Sequence, residues 1–224
     1  MASNLALLRL LQLVSPSLPI GMYSYSQGLE RAVHDGWIRN ADQVGDWLHG
    51  LLHNSLSKLD APLLARLYDA WQTGDMEAVA QWSQFLIACR ETAELRIEDK
   101  QTGQALARLL VNLAMPEALA WQKRVDATLA TMFGLAATRW QIDKADAVTG
   151  YLWSWLENQV LGSIKLVPLG QVAGQQLLQR LADELPCLVE QALTLTDEDI
   201  GGSCFGLALV SSRHEMQYSR LFRS

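Results

Sequence analysis

Cysteine is scarce in this chain of 224 residues: Cys89, Cys187 and Cys204 lie far apart, and no CxxC pair exists. An odd count at such spacing does not suit a disulfide framework, so a reduced, cytosolic compartment is the expectation. Long apolar runs are missing too. No stretch of 18 apolar residues occurs, and nothing is expected to span a membrane. The opening MASNLALLRLLQLVSP is apolar, but it lacks a basic leading region and is interrupted by Arg9 and Gln12, which argues against a secretory signal. Positive charge is in short supply: 18 Lys and Arg stand against 24 Asp and Glu, a net charge of −6. That balance argues against nucleic-acid binding. β-Branched apolar residues are few, with Leu and Ala outnumbering Val and Ile by more than three to one, which favours helix over sheet.

The periodicity agrees. Val44, Trp47, Leu48, Leu51 and Leu52 follow the i, i+3, i+4, i+7, i+8 pattern of one helix face. Further stripes are Leu63, Leu64, Leu67 and Trp71, after a start at Asp60 and Pro62, and Val79, Trp82, Leu86 and Cys89, opened by Asp75 as a cap. Leu106, Leu109, Leu110 and Leu113 end at Pro116. Val125, Leu129, Met132 and Phe133 follow, then Val148, Leu152, Trp155 and Leu156, then Ala173, Leu177, Leu178 and Leu181. Pro186 opens a short last helix. The reading is an all-α, single-domain helical bundle of about eight to ten helices spanning residues 1–224. Two segments escape the pattern. Residues 15–30, SPSLPIGMYSYSQGLE, are dense in Pro, Gly, Ser and Tyr. The tail 205–224 has the composition of a mobile segment and carries a net charge of +2 against −8 for the remainder.

Catalytic motifs are mostly absent. There is no GxxxxGK[ST], no GxGxxG and no GxSxG. His214-Glu215 begins like HExxH, but Tyr218 stands where the second imidazole belongs. Ser55 and Lys58 match SxxK, with no companion motif; that leaves a hydrolase reading weakly founded. His49 and His53 are spaced i, i+4 and can share a helix face, the pattern of a metal pair, but no third ligand is visible; a direct nickel carrier is the alternative reading they support. Glu91, Glu94, Arg96, Glu98, Asp99 and Lys100 read as a solvated helix face. What remains is interaction chemistry: Tyr23, Tyr25, Tyr218, Phe222, Arg220 and Arg223 are residue types that dominate interface hot spots.

Four blocks, in order, carry a family resemblance: SPSLPIGMYSYSQGLERAV from Ser15, LIACRETAELRIED from Leu86, IKLVPLGQ from Ile164 and SRHEMQYSRLFRS from Ser212. Together they resemble UreF, the urease accessory protein family, with Met22 standing where that family often has a second Gly. The resemblance implies an all-α homodimer that is not an enzyme and needs no cofactor of its own. It implies binding to UreD (UreH in some organisms), recruitment of the GTPase UreG with regulation of its GTPase step, and action on apo-urease during GTP-dependent nickel insertion. It implies partner-binding roles for Tyr23, Ser24, Ser26 and Glu30 in the first block, for Lys165 and Gln171 in the third, and for His214, Glu215, Tyr218, Ser219, Arg220 and Phe222 in the tail. Within that frame the tail is expected to dock through Arg220, with Tyr218 and Phe222 filling one groove if helical and Tyr23 holding the tail in place. Glu30 and Lys165 are the expected UreG-facing pair. Neither a nucleic acid nor a membrane is expected as a partner.

Overall fold

A computed structural model of the chain describes residues 4–223. All the regular structure among them is helical: α1 (Asn4–Leu13), α2 (Leu29–His34), α3 (Ala41–Leu51), α4 (Ala61–Thr73), α5 (Met76–Cys89), α6 (Ala93–Asn112), α7 (Leu129–Arg139), α8 (Lys144–Leu166), α9 (Gln171–Ala182), α10 (Leu185–Thr194) and α11 (Phe205–His214). A π-helical stretch, Leu52–Asp60, joins α3 to α4, so these two form one continuous rod and the bundle has ten helical rods among the described residues. The all-α reading therefore holds.

The core is built on α4, which packs against α5, α7, α8 and α10. Leu63, Leu64, Leu67 and Trp71 of α4, Met132 and Phe133 of α7 and Leu152 and Leu156 of α8 are all buried in one hydrophobic core. Each such side chain contributes roughly 1.5–3 kcal/mol by leaving water. Phe133 packs edge-to-face on Tyr151 at 5.4 Å, a favoured aromatic geometry. Two of the large side chains of α4 satisfy their polar ends inside the core: Trp71 donates to the Thr131 carbonyl at 2.9 Å and Tyr68 to the Ile142 carbonyl at 2.9 Å. Helix starts follow local chemistry. Asp75, Thr92, Thr128 and Asp143 each accept a hydrogen bond from a first-turn N–H of the helix they open.

Three sequence expectations change. α4 begins at Ala61, between Asp60 and Pro62 as expected, but Asp60 does not cap it: its dihedrals are helical and the π-helical stretch runs straight into α4. Pro62 lacks an N–H, which leaves the Lys58 carbonyl without its helical partner; the Gly201 N–H takes that place at 2.9 Å. Pro186 opens α10, but α10 is not the last helix: residues 205–214 of the expected tail form α11. The charge run in α6 is not a solvated face, since Glu94, Glu98 and Asp99 are buried. Ser24, Tyr25 and the turns around them lie between α1 and α2, where Gly21 and Gly28 adopt φ of 78° and 76°. Met22 enters a 3-10 turn directly after Gly21, so the positive φ falls on the glycine.

Arg90 ties the outer helices to the central rod. It sits at the α5–α6 corner and bonds Asp60 through Nη2 at 2.5 Å and Asp99 through Nε at 2.5 Å. Burial opposes its charge, but the two carboxylates outweigh that, and the guanidinium is held well above its ordinary pKa. Burial pushes the Asp99 carboxyl up, with Arg90 opposing. Burial also pushes the Tyr151 phenol, 3.4 Å from Asp60, well up.

Candidate partner-binding surface

The two segments that escape the helical pattern meet in space, and Glu30 joins them. Its carboxylate accepts the backbone N–H of Leu221 at 2.7 Å and of Phe222 at 2.9 Å. His214 lies fully buried between two carboxylates, Nδ1 at 2.8 Å from Glu94 and Nε2 at 3.4 Å from Glu30. Arg220 bonds Glu94 at 2.8 Å and turns its other donors back on the carbonyls of Gln217 and Glu215. Two acids and one imidazole thus share a buried cluster, with Arg220 closing it from the surface. Hydrogen bonds to charged groups are the stronger kind, and here they fix where the chain runs after α11.

Neighbouring contacts complete the attachment. The Arg223 N–H donates to the Ser24 carbonyl at 2.8 Å. Phe222, 6% exposed, packs toward Gly162 of α8, with the Lys165 ammonium 5.7 Å from its ring centre. Gly28 lets α2 approach α11, since a Cβ there would lie 2.7 Å from Val210 Cγ2. Glu215 accepts the Ala93 N–H at 3.0 Å at the start of α6, and Thr92 bonds Ser211 at 2.7 Å. Arg213 reaches Asp35 at 3.2 Å; burial raises that carboxyl, but bonds from Arg31, His34 and Arg213 prevail and hold it below its ordinary value. Tyr25 donates to Gln101, and burial pushes its phenol up. Gln27, at φ 49°, bridges Glu98 of α6 and Trp155 of α8.

The residues singled out from sequence divide into two groups. Ser26, Glu30, His214 and Phe222 are buried; Ser24 and Glu215 are half-buried and bonded inside the chain. Tyr23, Lys165, Gln171, Tyr218 and Ser219 face solvent, and Arg220 is exposed at its edge. The structure does not bring Tyr218 and Phe222 into one groove. α11 stops at His214, the following residues are not helical, and the two rings point apart, Tyr218 outward and Phe222 inward. Tyr23 does not hold the tail, being 63% exposed; the Ser24 carbonyl and Glu30 do. Arg220 spends its fork within the chain. Ser224 lies outside the described residues.

Glu94 is buried and not on the solvated face expected of it, although a signal for its burial existed. Extending the apolar stripe of α6 backward from Leu106 through Thr102 and Asp99 to Leu95 puts this acidic turn on the inward face. Around the cluster, the surface mixes apolar and basic groups: Met216 is 87% exposed, Tyr218 fully exposed and Leu221 open to solvent, beside the exposed Arg213, Arg220 and Arg223. A short backbone segment held from beneath by a buried carboxylate presents these side chains with little conformational freedom left to lose. That is what a protein-docking surface requires.

The UreF family model matches residues 38–182, well over half of the chain. The chain belongs to the UreF family. A urease accessory protein UreF of Alkalilimnicola ehrlichii is 57% identical over 99% of this chain and 97% of its own length. One from Pseudomonas putida is 50% identical over the full length of both, and one from Hahella chejuensis is 46% identical over 98% of this chain and 99% of its own length. The segments that build the surface, residues 15–30 and the tail, lie outside the span of the family model but inside these full-length matches. None of the helices described for this UreF chain is long and apolar enough to cross a membrane.

Proposed function

We propose that this chain is a non-catalytic scaffold in urease maturation. As a cytoplasmic homodimer it binds a UreD (UreH) partner, recruits the GTPase UreG and presents both to apo-urease for nickel insertion. The observation that carries the reading is the apolar surface of Met216, Tyr218 and Leu221, held by the Glu30 clamp. Ser24, Ser26, Glu30, His214, Glu215 and Phe222 shape that surface from within. Tyr23, Tyr218, Ser219 and the edge of Arg220 are its contact groups, Lys165 extends it along α8, and Gln171, exposed at the start of α9, is a further contact group. A second apolar row, Leu5, Leu7, Leu8 and Leu11 on α1, is exposed and suits self-association.

The test is co-purification with UreD and UreG, scored by size and stoichiometry. Removing the tail from Ser212 would also remove His214 and Phe222 from the interior, so point changes at exposed positions are the cleaner variants. Met216→Ser with Tyr218→Ser should abolish UreD co-purification while the thermal midpoint stays within about 1 °C, as surface changes usually leave stability unaltered. Unchanged stoichiometry in that variant would remove the tail from the interface. A folded full-length chain that binds neither partner would remove the scaffold reading itself.

A further inference from the structure

His49 sits in the last turn of α3 and His53 in the first turn of the π-helical stretch. The rings lie with centroids 4.1 Å apart, tilted by 35°. Glu184 reaches them from the two-residue corner between α9 and α10, more than 130 residues away in sequence. One carboxylate oxygen, Oε2, lies 2.9 Å from His49 Nδ1 and 2.6 Å from His53 Nε2. The three side chains offer one donor atom each, all within 4.8 Å of one another, and all three side chains are partly open to solvent.

We propose that His49 Nδ1, His53 Nε2 and Glu184 Oε2 form a binding site for a divalent first-row transition cation. Two imidazoles and one carboxylate are a donor set that suits zinc, nickel, cobalt and copper ions and not calcium or magnesium, which take oxygen ligands. The distances fit. Metal–ligand bonds of about 2.0–2.1 Å in a tetrahedral shell put neighbouring donor atoms about 3.3 Å apart. The carboxylate–imidazole separations of 2.9 and 2.6 Å need to open by about half an ångström, the two imidazole donors, within 4.8 Å of each other, need to settle at about 3.3 Å, and the 30% exposed Glu184 side chain has room to move. The site is also held at both ends. The π-helical stretch that carries His53 is packed by Gly202, where a Cβ would meet the Asn54 carbonyl at 2.5 Å, and Glu184 leads directly into α10, which packs on that stretch. π-Helical turns occur frequently at functional sites, because they re-aim side chains that a regular helix would place elsewhere. Three protein ligands leave at least one coordination position for water or for a donor from another molecule. The exposure of the ligands puts that position at the surface, where an ion can be taken up and handed on. This site depends on the isolated chain alone and is independent of the scaffold reading.

The experiment uses the full-length, untagged chain, stripped with chelator and titrated with zinc and with nickel by calorimetry. One ion per chain is expected for each metal. His53→Ala and Glu184→Gln should each weaken it at least tenfold, and His49→Ala with His53→Ala should abolish it. Cobalt should give a visible d–d absorption in the parent chain that His53→Ala loses. Long-range nitrogen NMR should show metal-induced shifts at Nδ1 of His49 and at Nε2 of His53, the two atoms aimed at the carboxylate. Far-ultraviolet circular dichroism on each variant separates loss of the site from loss of the fold. Absence of stoichiometric binding, or binding that both single variants leave within twofold, would overturn the site and leave the cluster as a hydrogen-bonded His–Glu–His contact.

Discussion

Glu30→Ala removes the acceptor for two backbone N–H groups, those of Leu221 and Phe222, and one of the two carboxylates flanking His214. A hydrogen bond to a charged group contributes about 1.5–3 kcal/mol net, so two of them hold residues 221 and 222 with about 3 kcal/mol or more. Alanine offers no replacement. A tail that stayed in place would bury two unsatisfied donors at about 1–3 kcal/mol each, and the segment is expected to leave instead. Since 1.4 kcal/mol is a factor of ten, amide exchange of Leu221 and Phe222 should quicken by at least about 100-fold. Residues in α4 and α7 should exchange as before. Hydrogen exchange followed by NMR or mass spectrometry reads both regions in one experiment. Glu30→Gln keeps one carbonyl oxygen and should fall between the parent and the alanine variant. If exchange across 217–223 stays within twofold in Glu30→Ala while the fold is intact, Glu30 does not hold the tail, and the argument for an internally clamped docking surface is wrong.

Arg90→Ala would leave Asp60 and Asp99 buried without their cation; about 3–5 kcal/mol of stability should be lost, or a fall in thermal midpoint of about 10 °C for a chain of this size, and an unchanged midpoint in a calorimetric scan would contradict it. Asp126 is held below its ordinary value chiefly by hydrogen bonds from Arg124, at 2.8 and 2.6 Å, with burial opposing. Its folded pKa therefore lies below the unfolded one, so its contribution is complete above about pH 4 and is lost as pH falls through the folded value. Urea unfolding at a series of acidic pH values should show a shallower acid limb in Asp126→Asn than in the parent. Gly28→Ala forces an alanine to φ 76° and places its Cβ 2.7 Å from Val210 Cγ2; the left-handed backbone alone costs about 1–2 kcal/mol, so denaturant unfolding should show a loss above that, and a loss below about 0.5 kcal/mol would mean α2 and α11 are not tightly packed.

Helical class and most helix positions follow from sequence because they rest on local physics. The Leu-rich stripes of 63–71 and 148–156 and the cap at Asp75 are each set by residues within one or two turns, whereas α6 stops at Asn112, short of Pro116, which opens a 3-10 turn instead. The family is legible in the same way, since its four blocks are runs of adjacent residues. Tertiary structure decided the remainder, and in each case the reason is a partner far away in sequence. Asp60 precedes α4 and reads as its cap, but its carboxylate is taken by Arg90 instead. Glu94 reads as solvent-facing until His214 and Arg220 fold back on it from 120 and more residues away. Phe222 and Tyr218 look like a pair on one helix face, but α11 ends at His214, where the N–H groups of Met216 and Gln217 close tight turns on Arg213 and His214, and Glu30 then takes the N–H groups of Leu221 and Phe222. His49 and His53 make an i, i+4 pair in any helix, yet the third ligand that gives them metal-binding chemistry comes from Glu184. Local propensity decides which segments are helices. Only the packing of those helices decides which charges lose water, and a charge that loses water must find a partner wherever the fold supplies one.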